Sequence, residues 1–428
     1  MELAQLSSLD TASLDTASLD MVVVGAGPAG LAAGATAARA GARVAILDRT
    51  AGIGVPVRTS GGSFVRPLRR LGLPRHLWHP VSRVRLIGPG HDLHFALRRP
   101  VACVLDVRRT YQWLGARAVE AGAELRLRTQ VRAPLMDGTR VVGVTLGDGE
   151  ALPARLVVDA SGYRAVIAEH LGLRPPTIRR AIGHEQEVYA PHFEQDLAVL
   201  VVGDEVAPGG YGWAFPCGDG RVRLGVGVVR PDSDAEPSEL LASFVDRVPA
   251  LSRSCSVMGP LEVHAGVMPA ADPAATPLVA PGLLLAGDAG IQGSTLLGEG
   301  IRHAIGAGRL AGSIGAAALA ATDGPIDVDA LADYPKAWNA QVGRQMRLAY
   351  RMHLRVCRYG DEDWERVLDA VRHLRPAQVA HALAGDLSPA WAIRTLLTSP
   401  GVVFGASGRS LVRSALDPPG RLRPIPAS

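Results

Sequence analysis

The sequence predicts an α/β fold: a three-layer Rossmann-like nucleotide-binding domain built from separated pieces, an antiparallel β-sheet domain inserted between them, and a helical C-terminal region. Three observations predict it. A βαβ pattern opens at Met21, a second buried strand followed by a small-residue helix occupies 283–312, and 181–273 is mostly alternating strands with Gly and Pro turns. The expected boundaries are a disordered tail at 1–17, nucleotide-binding pieces at 18–80, 104–180 and 274–330, substrate-domain pieces at 81–103 and 181–273, and a helical region at 331–428.

With 428 residues, 47% of them hydrophobic, the chain can bury the cores of two or three domains. Its 45 basic and 41 acidic residues are dispersed without a like-charged block, which argues against a nucleic-acid partner. Lys336 is the single lysine, so Schiff-base chemistry would rest on it alone. Cys103, Cys217, Cys255 and Cys357 form no CxxC pair and have no ligand neighbour at zinc spacing, so neither a disulfide framework nor a metal site is expected. His184-Glu185 fails as HExxH because position 188 is Val, and no GxSxG elbow occurs. The N-terminal residues show neither a basic n-region nor an apolar h-region, so secretion is not expected, and the longest uncharged apolar stretch, 310–322, is too short to cross a bilayer. A cytoplasmic protein is expected, with peripheral membrane contact left open.

The first element is the strand run Met21-Val-Val-Val24, followed by Gly25-Ala26-Gly27-Pro28-Ala29-Gly30 and a helix-forming stretch that stops at Gly41. Gly25 permits the tight turn, Gly27 lets the backbone approach a pyrophosphate, and Gly30 lets helix and strand pack closely, with Pro28 and Ala29 opening the helix. Asp48 ends the second strand 23 residues after Gly25, where a carboxylate can accept from ribose hydroxyls, and Arg49 stands beside it. A helix follows at 106–125, then a strand, a hairpin and a buried strand that stops at Asp159.

A second signature selects the dinucleotide. Leu283-Leu-Leu-Ala-Gly287-Asp288 puts a carboxylate just after a buried strand, and Gly298-Glu299-Gly300-Ile301 opens a Gly- and Ala-rich helix. A nicotinamide dinucleotide needs no second phosphate-facing loop so far along the chain. FAD does, because its ribityl chain and isoalloxazine extend beyond the ADP half.

The pairing of GxGxxG with GDA and GEGI resembles the FAD-dependent oxidoreductases of the p-hydroxybenzoate hydroxylase fold and, within them, the geranylgeranyl reductase family. Arg108, three residues before Tyr111, is similar to that fold's R-x-x-F segment, whose arginine contacts FAD. Asp159-Ala160-Ser161-Gly162 stands where these flavoproteins carry an Asp- and Gly-containing turn against the cofactor. Tyr211-Gly-Trp213-Ala-Phe215-Pro216 matches the family's Y-x-W-x-F-P motif. The resemblance covers roughly 20–320, with two departures: Ser60-Gly61-Gly62 stands where relatives often have Cys-Gly-Gly, and Gln292–Leu297 replaces a proline-containing sequence before GEG.

Tyr211, Trp213 and Phe215 alternate, so in a strand they share one face. The resemblance implies that this face is an aromatic wall for a long apolar ligand beside the flavin; a plain core patch is the other possibility. It further implies reduction of carbon–carbon double bonds in an isoprenoid or other lipophilic polyene, with NAD(P)H or another donor recharging FAD. The alternative is an FAD-dependent monooxygenase hydroxylating or epoxidising a lipophilic or natural-product substrate. A redox-neutral cyclase and a non-catalytic flavin module also remain. The sequence does not identify the proton donor, for which only Tyr211 is offered, nor the oligomeric state.

Overall fold

The computed structural model describes residues 19–175, 178–247 and 260–384. The expected tail at 1–17, Cys255, and the part of the expected helical region beyond Ala384 lie outside them.

Leu19–Val24 carries apolar side chains on both faces and becomes a central strand, buried from Met21 to Val24. Pro28 sits at the start of the helix Pro28–Arg39, where its missing N–H costs nothing, and Gly27 is the residue preceding it. The first sheet has the order Val279–Ala280, Leu283–Leu285, Ala151–Asp159, Leu19–Val24, Val44–Leu47, Glu124–Arg126, and all but its first strand run parallel. The hairpin expected in 140–159 is present as Arg140–Leu146 against the start of Ala151–Asp159, and Val131–Asp137 adds a further antiparallel strand before it, so that Arg140–Leu146 is the second strand of a hairpin with Val131–Asp137 as well. The remainder of Ala151–Asp159 joins the parallel sheet, so one strand serves both.

The inserted domain is a seven-stranded sheet in the order Pro260–Pro269, Arg180–Tyr189, Arg221–Arg230, Tyr211–Gly218, Leu197–Val201, Arg83–Gly88, His91–Ala96. It is antiparallel except where Leu197–Val201 runs alongside Arg83–Gly88. The helix Pro237–Arg247 follows Arg221–Arg230, the sixth of these strands in the chain. A third sheet, of Gly62–Phe64, Ala102–Leu105 and Trp78–Val81, is not anticipated from the sequence. Its strands have three or four residues, too few to show an alternating pattern in sequence.

The helix Ile301–Ala321 is the only described helix long and apolar enough to cross a membrane, yet it is largely buried against Pro28–Arg39. A methyl at Gly308 would lie 2.1 Å from the Ala29 carbonyl oxygen, and one at Gly312 would lie 2.3 Å from that of Ala33. Missing side chains therefore set the helix separation. Behind this pair the Ala- and Leu-rich core runs to Tyr334 and Trp338 of the short helix Asp333–Trp338.

Helix propensity alone would make Gly308→Ala stabilising by about 1 kcal/mol. Because the new methyl meets backbone, the expected result is the opposite sign, a loss of roughly 1–3 kcal/mol in chemical denaturation of the flavin-loaded protein.

Candidate active site

Strand register builds the site. Val24 pairs with Asp159, and Asp159 with Leu285, so three neighbouring parallel strands stop at one level. Their loops emerge side by side, as ligand-binding loops do at the carboxyl ends of open α/β sheets. Gly25 has φ +106°, and a methyl there would lie 2.4 Å from the Ala160 carbonyl oxygen. Gly287 has φ +71°, and a methyl there would lie 2.9 Å from the Ala29 Cβ. The two glycine turns, over 250 residues apart in sequence, are thus in contact.

These residues fit FAD. A methyl at Gly27 would meet nothing within 4 Å, so open space lies in front of the N-terminus of Pro28–Arg39, where backbone N–H groups and the helix dipole favour phosphate. Gly30 instead packs on Gly25, whose carbonyl oxygen would be 1.9 Å from an added methyl. Asp288 is half-buried, its carboxylate accepts no hydrogen bond from any described residue, and desolvation pushes its pKa up to about 6, against a lowering by Arg174. It faces the start of Ile301–Ala321: a methyl at Gly300 would lie 3.8 Å from its Oδ1. A half-buried carboxylate with no protein donor, open on one side, suits a cofactor hydroxyl. The Nε of Arg108 is buried and unpartnered. Gly298 turns with φ +65°, Ile301 is buried, and Glu299 accepts from Ser63 Oγ and Arg302 Nε, each at 2.7 Å.

Two carboxylates have inward tasks the sequence pattern does not announce. Asp48 Oδ2 accepts from Ala26 N at 2.7 Å, and its Oδ1 accepts from Thr50 N and Oγ1, so it braces the glycine loop from within. Arg49 beside it is exposed. Asp159 corrects the expectation of a direct cofactor contact. It is fully buried, and its oxygens accept from Ser161 N and Oγ, Ile167 N and Ala168 N, holding Ala160–Gly162 and the start of Val166–His170 in place. Gly162 supplies positive φ at that turn, with open space where a side chain would be. Gln292, in the expected departure, is a similar brace: its Oε1 accepts from Gly287 N at 2.8 Å and from Tyr334 Oη at 3.2 Å.

On the inserted sheet, Tyr211, Trp213 and Phe215 share one face as expected, with ring centroids 5.7 and 6.2 Å apart. The Trp213 indole lies across glycines of the next two strands. Methyls at Gly225, Gly183 and Gly227 would come within 2.2, 3.4 and 3.4 Å of it. Tyr211 Oη donates to the Leu297 carbonyl at 2.7 Å, and burial pushes its pKa well up, so the hydroxyl anchors the Gln292–Leu297 loop and keeps its proton. Phe215 reaches Gly62, where an added methyl would be 3.1 Å from its ring.

Sequence reasoning missed the polar ladder behind this wall. Arg108 Nη2 donates to Glu262 Oε1 (2.9 Å), His264 Nε2 lies 3.0 Å from Glu262 Oε2, His264 Nδ1 lies 2.7 Å from Glu185 Oε1, and Trp213 Nε1 donates to Glu185 Oε2 (2.9 Å). Each ring nitrogen of His264 faces a carboxylate, so both donate and the ring is an imidazolium. Burial opposes that charge, but the bonds to Glu185 and Glu262 outweigh it and raise the pKa above the usual 6.5. Nearby, buried Arg223 donates to Glu187 and to the carbonyls of Ser60 and Leu105, fastening the Ser60–Gly62 segment to the sheet. The available signal was charged residues at inward positions of Arg180–Tyr189 and Pro260–Pro269, which pair Glu185 with His264 and Glu187 with Glu262. Neither Cys103 nor Cys217 is a thiolate: burial raises both thiols, Cys217 to about 12.

The chain resembles known proteins over most of its length. Residues 20–173 match the FAD dependent oxidoreductase family and 181–265 the geranylgeranyl reductase catalytic domain. Digeranylgeranylglycerophospholipid reductase 2 of Methanopyrus kandleri is 32% identical, covering 82% of this chain and 90% of its own length. The same organism's digeranylgeranylglycerophospholipid reductase 1 is 34% identical, with 71% and 82% covered. Among solved structures, a geranylgeranyl bacteriochlorophyll reductase-like protein from Thermoplasma acidophilum superposes with a TM-score of 0.79 at 20% identity, covering 93% of this chain and 99% of its own.

Asp288→Leu is expected to weaken FAD binding by about 10- to 100-fold, the worth of a hydrogen bond to a charged acceptor, while Asp288→Asn retains most of it; fluorescence titration of the flavin-stripped protein measures both. His264 sets a second expectation. Its folded pKa is raised, so the stability it contributes is complete below about 6.5 and is lost as pH rises through the elevated folded value. His264→Gln should remove that decline from the pH dependence of the denaturation midpoint.

Proposed function

The chain belongs to the geranylgeranyl reductase family of FAD-dependent oxidoreductases, and from that premise we propose that its substrate is a membrane lipid whose long prenyl chains hang from a glycerophosphate-type head. The protein is an FAD-dependent enzyme that reduces carbon–carbon double bonds of a lipophilic isoprenoid. The finer reading rests on the aromatic face of Tyr211–Gly218, which is fastened to the cofactor-side loop by the bond from Tyr211 to Leu297. We further infer NAD(P)H as the transient reductant, and a cytoplasmic enzyme that meets its lipid at a membrane surface.

When bound and reduced, FAD supplies the hydride that one carbon of the double bond accepts, and a proton completes the other carbon. The chain's own residues do the rest. Backbone N–H groups around Gly27 would receive the pyrophosphate, and Asp288 would hold the cofactor through a hydroxyl. The Arg108 guanidinium is held at the domain boundary by Glu262. Tyr211, Trp213 and Phe215 present apolar ring surface to the prenyl chain and exclude water from the alkene. The ladder through Glu185 fixes the indole's rotation, so the wall's shape is set before the lipid arrives. Tyr211, offered by the sequence as acid, serves here as an anchor.

The deciding experiment reduces the purified holoprotein with dithionite under nitrogen, in the presence of a digeranylgeranyl glycerolipid, and follows the lipid by mass spectrometry. Stepwise gain of two hydrogens per double bond is expected. Lipid unchanged under nitrogen, together with lipid-dependent oxygen consumption in air, would overturn the reading in favour of a monooxygenase.

A further inference from the structure

From Tyr334 to Gly360 the sequence contains no aspartate or glutamate, but it contains Lys336 and five arginines at 344, 347, 351, 355 and 358. Most of this stretch is the helix Arg344–Val356. At about 100° per residue, the five arginine positions fall within an arc of roughly 80°. That arc is opposite the side that buries Met346, Ala349 and His353 against the protein. Arg344, Arg347 and Arg351 are exposed and Arg355 is half-exposed. Leu348 and Leu354, both half-buried, flank the row on either side.

The row differs from the neighbouring helix in how its charge is treated. On Asp361–Val371, Arg366 pairs with Asp363 and Glu362, and the following Arg372 pairs with Asp369. Among the described residues no carboxylate pairs with Arg344, Arg347, Arg351 or Arg355; Arg347 reaches only the Asn339 side chain, at 3.5 Å. Arg358, beyond the helix end, lies 3.8 Å from Asp232 and is the one member with an acidic neighbour. Four unneutralised guanidinium groups in single file over about 16 Å repel one another, and this cost is recovered when they meet an anionic surface of the same reach.

We propose that Arg344, Arg347, Arg351 and Arg355 form the face by which this protein docks on a membrane rich in anionic phospholipid. The inference rests on the lipid-substrate reading above. Guanidinium suits this task because it binds phosphate bidentately and is weakly hydrated. The apolar side of the helix is already buried in the protein, so the attachment is electrostatic: peripheral, reversible and weakened by salt. The contact holds the enzyme on the surface in which its substrate is dissolved, without any segment spanning the bilayer.

The test is co-sedimentation of the full-length holoprotein with sucrose-loaded vesicles, either pure phosphatidylcholine or containing about one-third phosphatidylglycerol. Binding to the anionic vesicles alone is expected, falling as salt is raised. Each arginine at such a surface contributes about fivefold, so the triple variant Arg344→Gln/Arg347→Gln/Arg351→Gln should bind roughly a hundredfold more weakly. A control changes the same number of charges on exposed arginines elsewhere, Arg70→Gln/Arg99→Gln/Arg132→Gln, and should lose far less. The helix variant should keep wild-type turnover on detergent-dispersed lipid and lose it only on vesicle-embedded lipid. Failure of the docking therefore differs from failure of the functional reading, which would abolish turnover in both. Absence of wild-type binding, an unaffected helix variant, or equal loss in both triple variants would overturn the proposal. The last outcome would indicate net charge alone, and an unaffected helix variant would leave an acidic protein as the occupant of this row.

Discussion

The common level at which Leu19–Val24, Ala151–Asp159 and Leu283–Leu285 end is the constraint on which the site depends. Parallel register fixes it through backbone hydrogen bonds deep in the sheet, where no side chain can be exchanged to adjust it. Everything that would hold the cofactor hangs from those three ends: the open helix start at Gly27, the turn at Ala160–Gly162 and the unpartnered carboxylate of Asp288. A slip of one strand by a residue would turn Asp288 away from the cleft. The many braces around the loops, Asp48, Asp159 and Gln292, fit that demand, since each fixes a turn whose position the sheet has already decided.

Much of this was legible in the sequence because its causes are local. The βαβ unit declares itself through a β-branched run, a glycine turn and a helix-forming stretch in immediate succession, and the Gly287-Asp288 turn through the apolar strand before it. The alternation of Tyr211, Trp213 and Phe215 likewise follows from strand geometry alone. The rest depends on residues far apart in the chain. Whether a carboxylate at a strand end faces a ligand or its own backbone is decided by loops elsewhere: Asp159 looked like a ligand and is a brace, whereas Asp288, in a similar setting, has no protein partner. The three-stranded sheet at 62–105 escaped for another reason, its strands being too short for a period to register.

The ladder from Arg108 to Trp213 joins the two domains by charge. Apolar contact between sheets tolerates sliding, whereas directed bonds between charged groups tolerate much less; the Arg108–Glu262 pair is part-exposed, and the His264–Glu185 and Arg223–Glu187 pairs beside it are buried. Arg223, reaching across to the Ser60 and Leu105 carbonyls, extends the same kind of joint to the segment behind Phe215. The desolvation cost of so many buried charges is met only when every partner is in place. The arrangement therefore contributes less to overall stability than to fixing where the aromatic wall stands relative to the cofactor loops.

The indole of Trp213 spread over Gly183, Gly225 and Gly227 has a consequence for how such enzymes diversify. Gly225 cannot acquire even a methyl without tilting the ring, since that methyl would lie 2.2 Å from it, and tilting the ring breaks its bond to Glu185; methyls at Gly183 and Gly227 would only touch the indole. This side of the chamber is consequently a rigid floor. Adaptation to lipids of other lengths or head groups has to proceed by remodelling the ceiling, the Gln292–Leu297 segment above all, while the floor stays as it is.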